Sequence, residues 1–398
     1  MTGSGRGDGP TERRGRTPGP LSGIRVLEVG HILSGPFAGM LLADLGADVI
    51  KIESAEGDLS RQVGTQTVGG HNVYFASINR NKRSVHIELD TEEGQVQLGR
   101  LAETADALIV NLRPSAIRRL GLDYESLRRH NPKIVCVALT GYGLEGDAAE
   151  WPSFDYVVQA ATGVAALTGE PGGAPTLAGY SAVDNSAGIT AALGLVAKVL
   201  EGNGGQVDVS LFDVMLSQLN YKAAAYLNGG DPPARSRLGA HTFYVPAQLF
   251  ETEQGHLALF VTRDEHWRRL CEEIDRPEWA DDPRFATMQA RFDHRDQLLE
   301  SLGARLKEAP ASEWEERLRP TGIAVGAVRE LPEALDGDLV RSRHRVVSVE
   351  TADGPLLLIG SPIRIGGVET DSLPPPVLHE HTAELLADDR ERPADQRA

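Results

Sequence analysis

Asp184 stands in the segment Gly179-Tyr180-Ser181-Ala182-Val183-Asp184-Asn185-Ser186-Ala187-Gly188, just after a loop and at the head of an Ala- and Gly-rich stretch with helical character. Two chemistries suit a carboxylate placed there. It can cap the helix by accepting backbone N–H bonds, the commonest use of an acidic residue at a helix start. It can also act as a nucleophile, which must be anionic and oriented, and a helix dipole with its free amides would hold it ionised. The local pattern leaves both open.

Other reactive patterns are missing from the sequence. There is no His-Glu-x-x-His, no Cys-x-x-Cys, no nucleophile elbow and no Walker loop, so no metal is expected. The 11 histidines are scattered, and the one close pair, His379 and His381, reads as the approach to a C-terminal helix. Cys136 and Cys271 are too few for a disulfide framework or a cysteine zinc site. Gly30 and Gly35-Pro36 lie between a strand pattern and a helix pattern. That placement could set a helix N-terminus against phosphates. The spacing is not Gly-x-Gly-x-x-Gly, however, and ordinary α/β turns use glycine too.

These residues need elements to hold them. Residues 24–29 form a strand pattern, 36–45 a helix ended by Gly46, and 47–53 a second strand, a β-loop-α-β unit whose default is a parallel crossover. The alternation continues. Strands are predicted at 84–89, 107–111, 134–140 and 206–210, with helices at 91–102, 114–120, 124–130, 183–200 and 211–225. The almost wholly apolar 134–140 suits a strand covered on both faces. After Asn228-Gly229-Gly230-Asp231-Pro232-Pro233 the texture changes to short strands and charged helices carrying Trp267, Trp279 and Trp314, and strand patterns resume near 346–359.

Composition narrows the function classes. The 398 residues carry 40 basic and 57 acidic side chains, for a net charge of −17. A surface of that sign repels phosphodiesters and argues against nucleic-acid partners. The best apolar run, 188–200, is short for a bilayer span and contains Lys198, so no membrane association is expected and a cytoplasmic location is. Residues 1–20 and 387–398 are poor in apolar side chains and read as flexible tails.

Several ordered blocks together resemble the family III CoA-transferases, the CaiB–BaiF group. They are Leu21-Ser22-Gly23-Ile24-Arg25-Val26-Leu27-Glu28, Gly35-Pro36-Phe37-Ala38, the stretch 42–53 with Gly57-Asp58, and Asn79-Arg80-Asn81-Lys82-Arg83-Ser84. Leu167-Thr168-Gly169, Val183-Asp184, 205–211, Asp282-Pro283-Arg284-Phe285, Thr321-Gly322-Ile323 and 379–382 follow in order. The resemblance implies an α/β fold: a Rossmann-like large domain with a parallel sheet plus a smaller α+β domain, in an interlaced homodimer. The large domain would be discontinuous, 21–210 with 340–386. Linkers at 211–234 and 326–339 would lead to and from a small domain at 235–325.

The resemblance also implies the chemistry. CoA would pass from an acyl-CoA donor to a carboxylic acid acceptor through an aspartyl mixed anhydride and an aspartyl-CoA thioester on Asp184, with loop amides stabilising the oxyanions. Coenzyme A enters as substrate, and neither ATP nor metal is needed. By the same likeness His31, Leu89, Asn111, Leu112, Arg119, Leu120 and Tyr142 would line the CoA site. Leu89, Leu112 and Leu120 read equally as core, and Arg119 equally as a solvated helix residue. In a chain of −17 the CoA phosphates would require a local basic patch. Four positions depart from family patterns: Leu33, Ser54, His379, and Phe154 where racemases carry histidine. Formyl and oxalate specificity are thus not implied. An acyl-CoA racemase or epimerase, or a non-catalytic CoA-binding subunit, are the alternatives.

Overall fold

A computed structural model describes residues 18–366 and 372–387, so the tails expected at 1–20 and 387–398 fall almost wholly outside the described residues. The chain opens with β1 (Arg25–Val29), α1 (Ser34–Asp44) and β2 (Asp48–Glu53). A small hairpin, β3 (Thr67–Val68) and β4 (His71–Asn72), leads to α2 (Val73–Asn79) and β5 (Arg83–His86). Next come α3 (Glu92–Glu103), β6 (Ala107–Val110), α4 (Pro114–Arg119), α5 (Tyr124–Leu127) and β7 (Val135–Thr140). α6 (Asp155–Ala161), α7 (Val164–Leu167), α8 (Ala182–Glu201) and β8 (Gly205–Ser210) follow. The predicted helix 211–225 is two, α9 (Leu211–Gln218) and α10 (Asn220–Leu227), interrupted where Asn220 takes φ 20°.

Later elements are β9 (Ala247–Glu251), β10 (His256–Phe260), α11 (Asp264–Glu273), α12 (Met288–Asp293), α13 (Arg295–Leu306) and α14 (Ala311–Leu318). β11 (Ala324–Ala327), α15 (Leu331–Leu335), α16 (Asp338–Ser342), β12 (Val346–Thr351), β13 (Gly354–Ile359) and α17 (Thr382–Leu386) complete the chain. Within the described residues they pack into two units, one of residues up to 162 with 179–220 and those from 338 onward, the other of 163–178 with 221–337. Residues 163–178 thus group with the later part of the chain, tied there by Arg235, whose guanidinium donates to the carbonyls of Ala166, Gly173 and Ala174.

The first unit holds a six-stranded sheet in the order β5-β2-β1-β6-β7-β8, with every pairing parallel. Counted along the chain these six strands lie 3-2-1-4-5-6, the doubly wound order, which reverses between β1 and β6. β2, β6 and β7 are buried along their whole length, as expected of parallel strands covered on both faces.

β2 nevertheless reads Asp48-Val49-Ile50-Lys51-Ile52-Glu53. Its charges survive burial because each has a partner. Lys51 reaches Glu28 at 2.8 Å and Asp58 at 2.7 Å, while Arg83 pairs with Asp48. Ser84 Oγ donates to Glu53 at 2.6 Å, and Arg61 Nη2 donates to Glu53 Oε2 at 2.8 Å. Lys82 meets Glu28 at 2.7 Å, and Arg80 and Asn81 bind Asp44. The basic motif 79–84 is therefore an internal ionic layer. Removing one member of such a layer strands a buried charge, at a cost of about 3–5 kcal/mol.

The strands at 346–359 do not extend the parallel sheet. β12 and β13 form their own antiparallel hairpin, packed on Ala76 of α2 through Val349, Leu356 and Leu358. The segment 372–387 covers the exposed edge of β5. His381 N–H donates to Ser84 O at 2.9 Å and His86 N–H to Thr382 Oγ1 at 2.9 Å, which blocks strand addition at that edge. His379 and Ser54, two of the departures, meet here: His379 Nε2 lies 2.8 Å from Ser54 O, and its ring stacks on His86 at 4.4 Å.

Contrary to the sequence expectation, α8 is long and apolar enough by length and composition to cross a bilayer. One face is buried against α1, α9, β7 and β8, through Ala187, Gly188, Ala191 and Leu195.

The second unit centres on a three-stranded antiparallel sheet, β11-β10-β9, covered by α11, α13 and α14. Its core is dominated by Trp267, Trp314, Phe250 and leucines of these helices. Both indoles donate to carbonyls, Trp314 to Leu306 and Trp267 to Trp279, so neither N–H is left unpaired in an apolar setting.

Candidate active site

β1 and β6 flank the point where strand order reverses, the place where doubly wound sheets bind ligands beyond their carboxyl ends. His31 follows β1 and Asn111 follows β6. Their neighbours lock together. Asn111 Oδ1 accepts the His31 N–H at 3.0 Å, and Asn111 Nδ2 donates to His31 O at 3.0 Å and to Ser34 Oγ at 3.3 Å.

The glycines make this possible. A Cβ on Gly30 would stand 2.1 Å from Asn111 Oδ1, and one on Gly35 would stand 3.0 Å from Asn111 Cγ. The Gly-x4-Gly spacing is thus a cradle for this chain's own carboxamide. The same loop takes an internal anion: Asp58 Oδ1 accepts the Ile32 N–H at 3.0 Å and the Ser60 N–H at 2.8 Å. The His31 and Ile32 amides of this turn are thus both bound by protein groups. Burial lowers the pKa of the His31 imidazole against the pull of Asp58, so at neutral pH the ring is uncharged.

Asp184 is the third residue of α8, whose N-cap is Ser181. Neither sequence reading of its environment holds. Asp184 does not cap the helix, and the α8 amides do not hold it ionised. Asp155, at the head of α6 and buried, takes those amides: its Oδ2 accepts the Val183 N–H at 2.8 Å and the Asp184 N–H at 3.1 Å. Gln159, one turn along α6, donates to Asp155 Oδ1 at 2.6 Å.

Asp184 is consequently a half-buried carboxyl whose pKa is pushed up to about 7, by desolvation first and the adjacent Asp155 charge second. A hydrogen bond from the Ser34 hydroxyl works the other way. Asn111, Ser34 and Asp184 therefore form a connected chain from the β1 loop to α8. Close packing of α1 on α8 sustains it. A Cβ at Gly188, one turn beyond Asp184, would stand 2.9 Å from Ser34 O and 3.0 Å from Phe37 Cδ1.

The remaining predicted residues lie in two further places. Leu89 and Arg119 line one open cleft of about 370 Å³ together with Asp90, Thr91, Glu92 and Gln95. Gln95 Nε2 donates to both Leu89 O and Leu120 O, so this glutamine sets the cleft wall. Leu89, Leu112 and Leu120 are half-buried and packed on the sheet core. Arg119 is exposed, whereas Arg118 beside it pairs with Glu150 at 3.3 Å. Leu89 gives this cleft an apolar wall and Arg119 an exposed cation. The cleft is not the basic patch expected, because Asp90 and Glu92 share its wall. Tyr142 follows β7 and packs edge-on to Trp151 at 5.8 Å and against Phe212 at 5.9 Å. Among the described residues, no group of three or more His, Cys, Asp and Glu side chains is placed to hold a metal ion.

Sequence reasoning missed Ser34, Asp155, Gln159 and Gln95. Asp155 had a readable signal, an acidic residue after Pro152 with a glutamine four positions on, which is a helix-start pattern. Ser34 had none, because its partners are 77 and 150 positions away in the chain.

Comparison with known proteins identifies the family. The profile of CoA-transferase family III matches residues 21–382. The chain is 35% identical to succinate–glutarate CoA-transferase of Agrobacterium fabrum, over 95% of this chain and 97% of that one. It is 32% identical to acetyl-CoA:oxalate CoA-transferase of Acetobacter aceti, over 92% and 95% respectively. A CAIB/BAIF family protein from Brucella suis superposes with a TM-score of 0.80 at 32% identity, over 93% of this chain and 99% of that one. A match of this extent to the family and to its relatives shows that the chain belongs to CoA-transferase family III and is an enzyme of the transferase class.

Proposed function

We propose that this chain moves CoA from an acyl-CoA thioester to a carboxylic acid with Asp184 as the nucleophile. An Asp184 oxygen attacks the donor thioester carbonyl, the C–S bond breaks, and CoA leaves as the thiolate. The thiolate attacks the Asp184 acyl carbon, the donor acid leaves, and an aspartyl-CoA thioester remains. The acceptor carboxylate then attacks that thioester and displaces the thiolate, which takes the acceptor acyl group and frees Asp184. Thioester energy is conserved, so no other energy source enters.

The observation that carries this reading is the Asp184 carboxyl itself. It is half-buried, more basic than an ordinary carboxylate, and touched by the Ser34 hydroxyl. A carboxylate of raised basicity is the better nucleophile once ionised.

The CoA moiety would lie along the carboxyl ends of the strands. Its adenine would sit in the Leu89–Arg119 cleft, with His31, Asn111, Leu112, Leu120 and Tyr142 along the path to Asp184. Because relatives named for succinate, glutarate and oxalate match almost end to end, short dicarboxylates are the acceptor class, with succinyl-CoA and glutarate the first pair to try. An interlaced homodimer with linkers at 211–234 and 326–339 is part of the proposal. The exposed Ile189, Leu193 and Leu200 of α8 support it, as an apolar row that a second copy would cover. So is a cytoplasmic location, consistent with two free, buried cysteines.

The test is trapping. Incubation with succinyl-CoA and then hydroxylamine should place a hydroxamate on Asp184, and Asp184→Ala should abolish both label and transfer. Transfer persisting in that variant would defeat the reading. Deuterium entering the acyl α-carbon without an added acid would favour racemisation instead.

A further inference from the structure

We propose that Asp155 is a positioning residue for the transfer reaction: its carboxylate fixes the first turn of α8 and decides when Asp184 becomes charged. The inference rests on reading Asp184 as the nucleophile.

A helix start ordinarily presents free amides, and an acid in its first turn is held ionised by them. In α8 that arrangement is overridden from another helix. Asp155 Oδ2 receives the Val183 and Asp184 amides together, so the positive end of α8 is answered before Asp184 can use it. Gln159 holds the other Asp155 oxygen, which fixes the carboxylate plane. Among the described residues neither carboxylate has an ion-pair partner. Two acids therefore share one helix start, and its amides belong to Asp155. Burial first and the neighbouring Asp155 carboxylate second disfavour a charge on Asp184, so Asp184 holds its proton to higher pH, while three donors face the Asp155 oxygens.

The surroundings add little else. Of the elements packed on α8, α6 presents Asp155, and α1 presents the Ser34 hydroxyl, its one charged residue, Asp44, lying at the other end of the helix and paired with Arg80. β7, β8 and α9 carry Cys136, Asp208 and Asp213, none of which shifts Asp184. On α2, the Tyr74 phenol is raised by burial and by the carboxylates of Asp184, Asp58 and Asp155, so it stays neutral through the working range.

The consequence for the reaction is a proton lost to solvent before attack. Asp155 forms and breaks no bond. It makes Asp184 a stronger nucleophile toward the thioester. It also denies the Val183 and Asp184 amides to the tetrahedral oxyanion, so the oxyanion donors must come from elsewhere in the site.

The test is Asp155→Asn in the full-length chain. The isosteric amide keeps a carbonyl acceptor for the α8 amides and removes the charge. The pH profile of kcat/KM for succinyl-CoA should fall on its acid side near pH 7 in the unaltered protein. In Asp155→Asn that limb should move down by at least about one pH unit, with a lower alkaline plateau. A limb that does not move, with activity merely scaled by folded fraction, overturns the proposal. Hydroxylamine trapping separates the two readings: no label at Asp184 in the unaltered protein defeats the nucleophile reading, whereas an intact label with an unmoved limb defeats only the role of Asp155. Should Asp155→Asn not fold, carbon NMR titration of both carboxyls in the unaltered protein, assigned by the loss of one signal in Asp184→Asn, decides the matter. A two-step Asp184 curve, with an inflection at the Asp155 midpoint, supports control by Asp155, and a single-step curve blind to the Asp155 titration shows that burial alone sets the Asp184 charge.

Discussion

Replacing Asp184 with asparagine should end transfer and, above neutral pH, make the protein more stable. The folded carboxyl has its pKa pushed from 3.8 up to about 7 by burial and by Asp155. Between those values the folded state holds a proton that the unfolded state has released, so stability falls as pH rises and levels off above about 7. Each unit is worth about 1.4 kcal/mol, so the charged form weakens the fold by about 4 kcal/mol at pH 8 but by only about 1.6 kcal/mol at pH 5. Asparagine keeps the shape and an acceptor for Ser34 and carries no such term. Its advantage over aspartate should therefore grow by about 2–3 kcal/mol between pH 5 and pH 8. Comparing the two pH values cancels the fixed difference between amide and acid. The assay is urea unfolding of both proteins at the two pH values, with thermal midpoints alongside. At roughly 0.8 kcal/mol per degree for a chain of this length, the growth corresponds to about 3 °C. An advantage that does not change with pH, or asparagine losing ground at pH 8, would refute the claim that Asp184 is held against ionisation.

Other substitutions probe the site's supports. Gly188→Ala drives a methyl into Ser34 O and Phe37, so it should destabilise by about 1–3 kcal/mol and lower kcat, read by unfolding and steady-state kinetics. Asn111→Ala leaves the His31 amide and carbonyl unpaired, so the fold should weaken by about 1–3 kcal/mol and KM for acyl-CoA should rise. Arg119→Ala should raise KM for acyl-CoA about tenfold with kcat little changed, and a dephospho-CoA thioester should show the smaller effect if the 3′-phosphate is its partner. Acid should unfold the ionic layer. Glu53 is held down at about 2, mainly by Arg61 against the opposing effect of burial, so its contribution is complete above the ordinary carboxylate range and is lost as pH falls toward 2. A circular-dichroism titration with no acid transition above pH 2 would contradict that assignment.

Much of this molecule was legible along the chain. The alternation of apolar runs with glycine- and proline-marked turns predicted a parallel α/β sheet, because strand and helix periods depend on near neighbours. The helix headed by Asp184 was legible for the same reason. The pair 346–359 was visible as strands but not as a separate hairpin, since pairing partners are chosen by packing. The break at Asn220 was invisible within an unbroken helical pattern.

The charge state of Asp184 was decided wholly by tertiary structure. By itself, a carboxylate in the first turn of a helix reads as an anion at home among free amides. The fold buries the carboxyl and brings Asp155, 29 positions earlier, onto those same amides, and together these reverse the sign of the effect. The motif at 79–84 behaves alike: its five basic and amide residues carry no sign of burial along the chain, yet the sheet buries Arg80, Lys82 and Arg83 against Asp44, Glu28 and Asp48. Sequence determines which groups are available and which local shapes they favour. Electrostatics depends on distance and on exclusion of water, and only the packed chain sets either one.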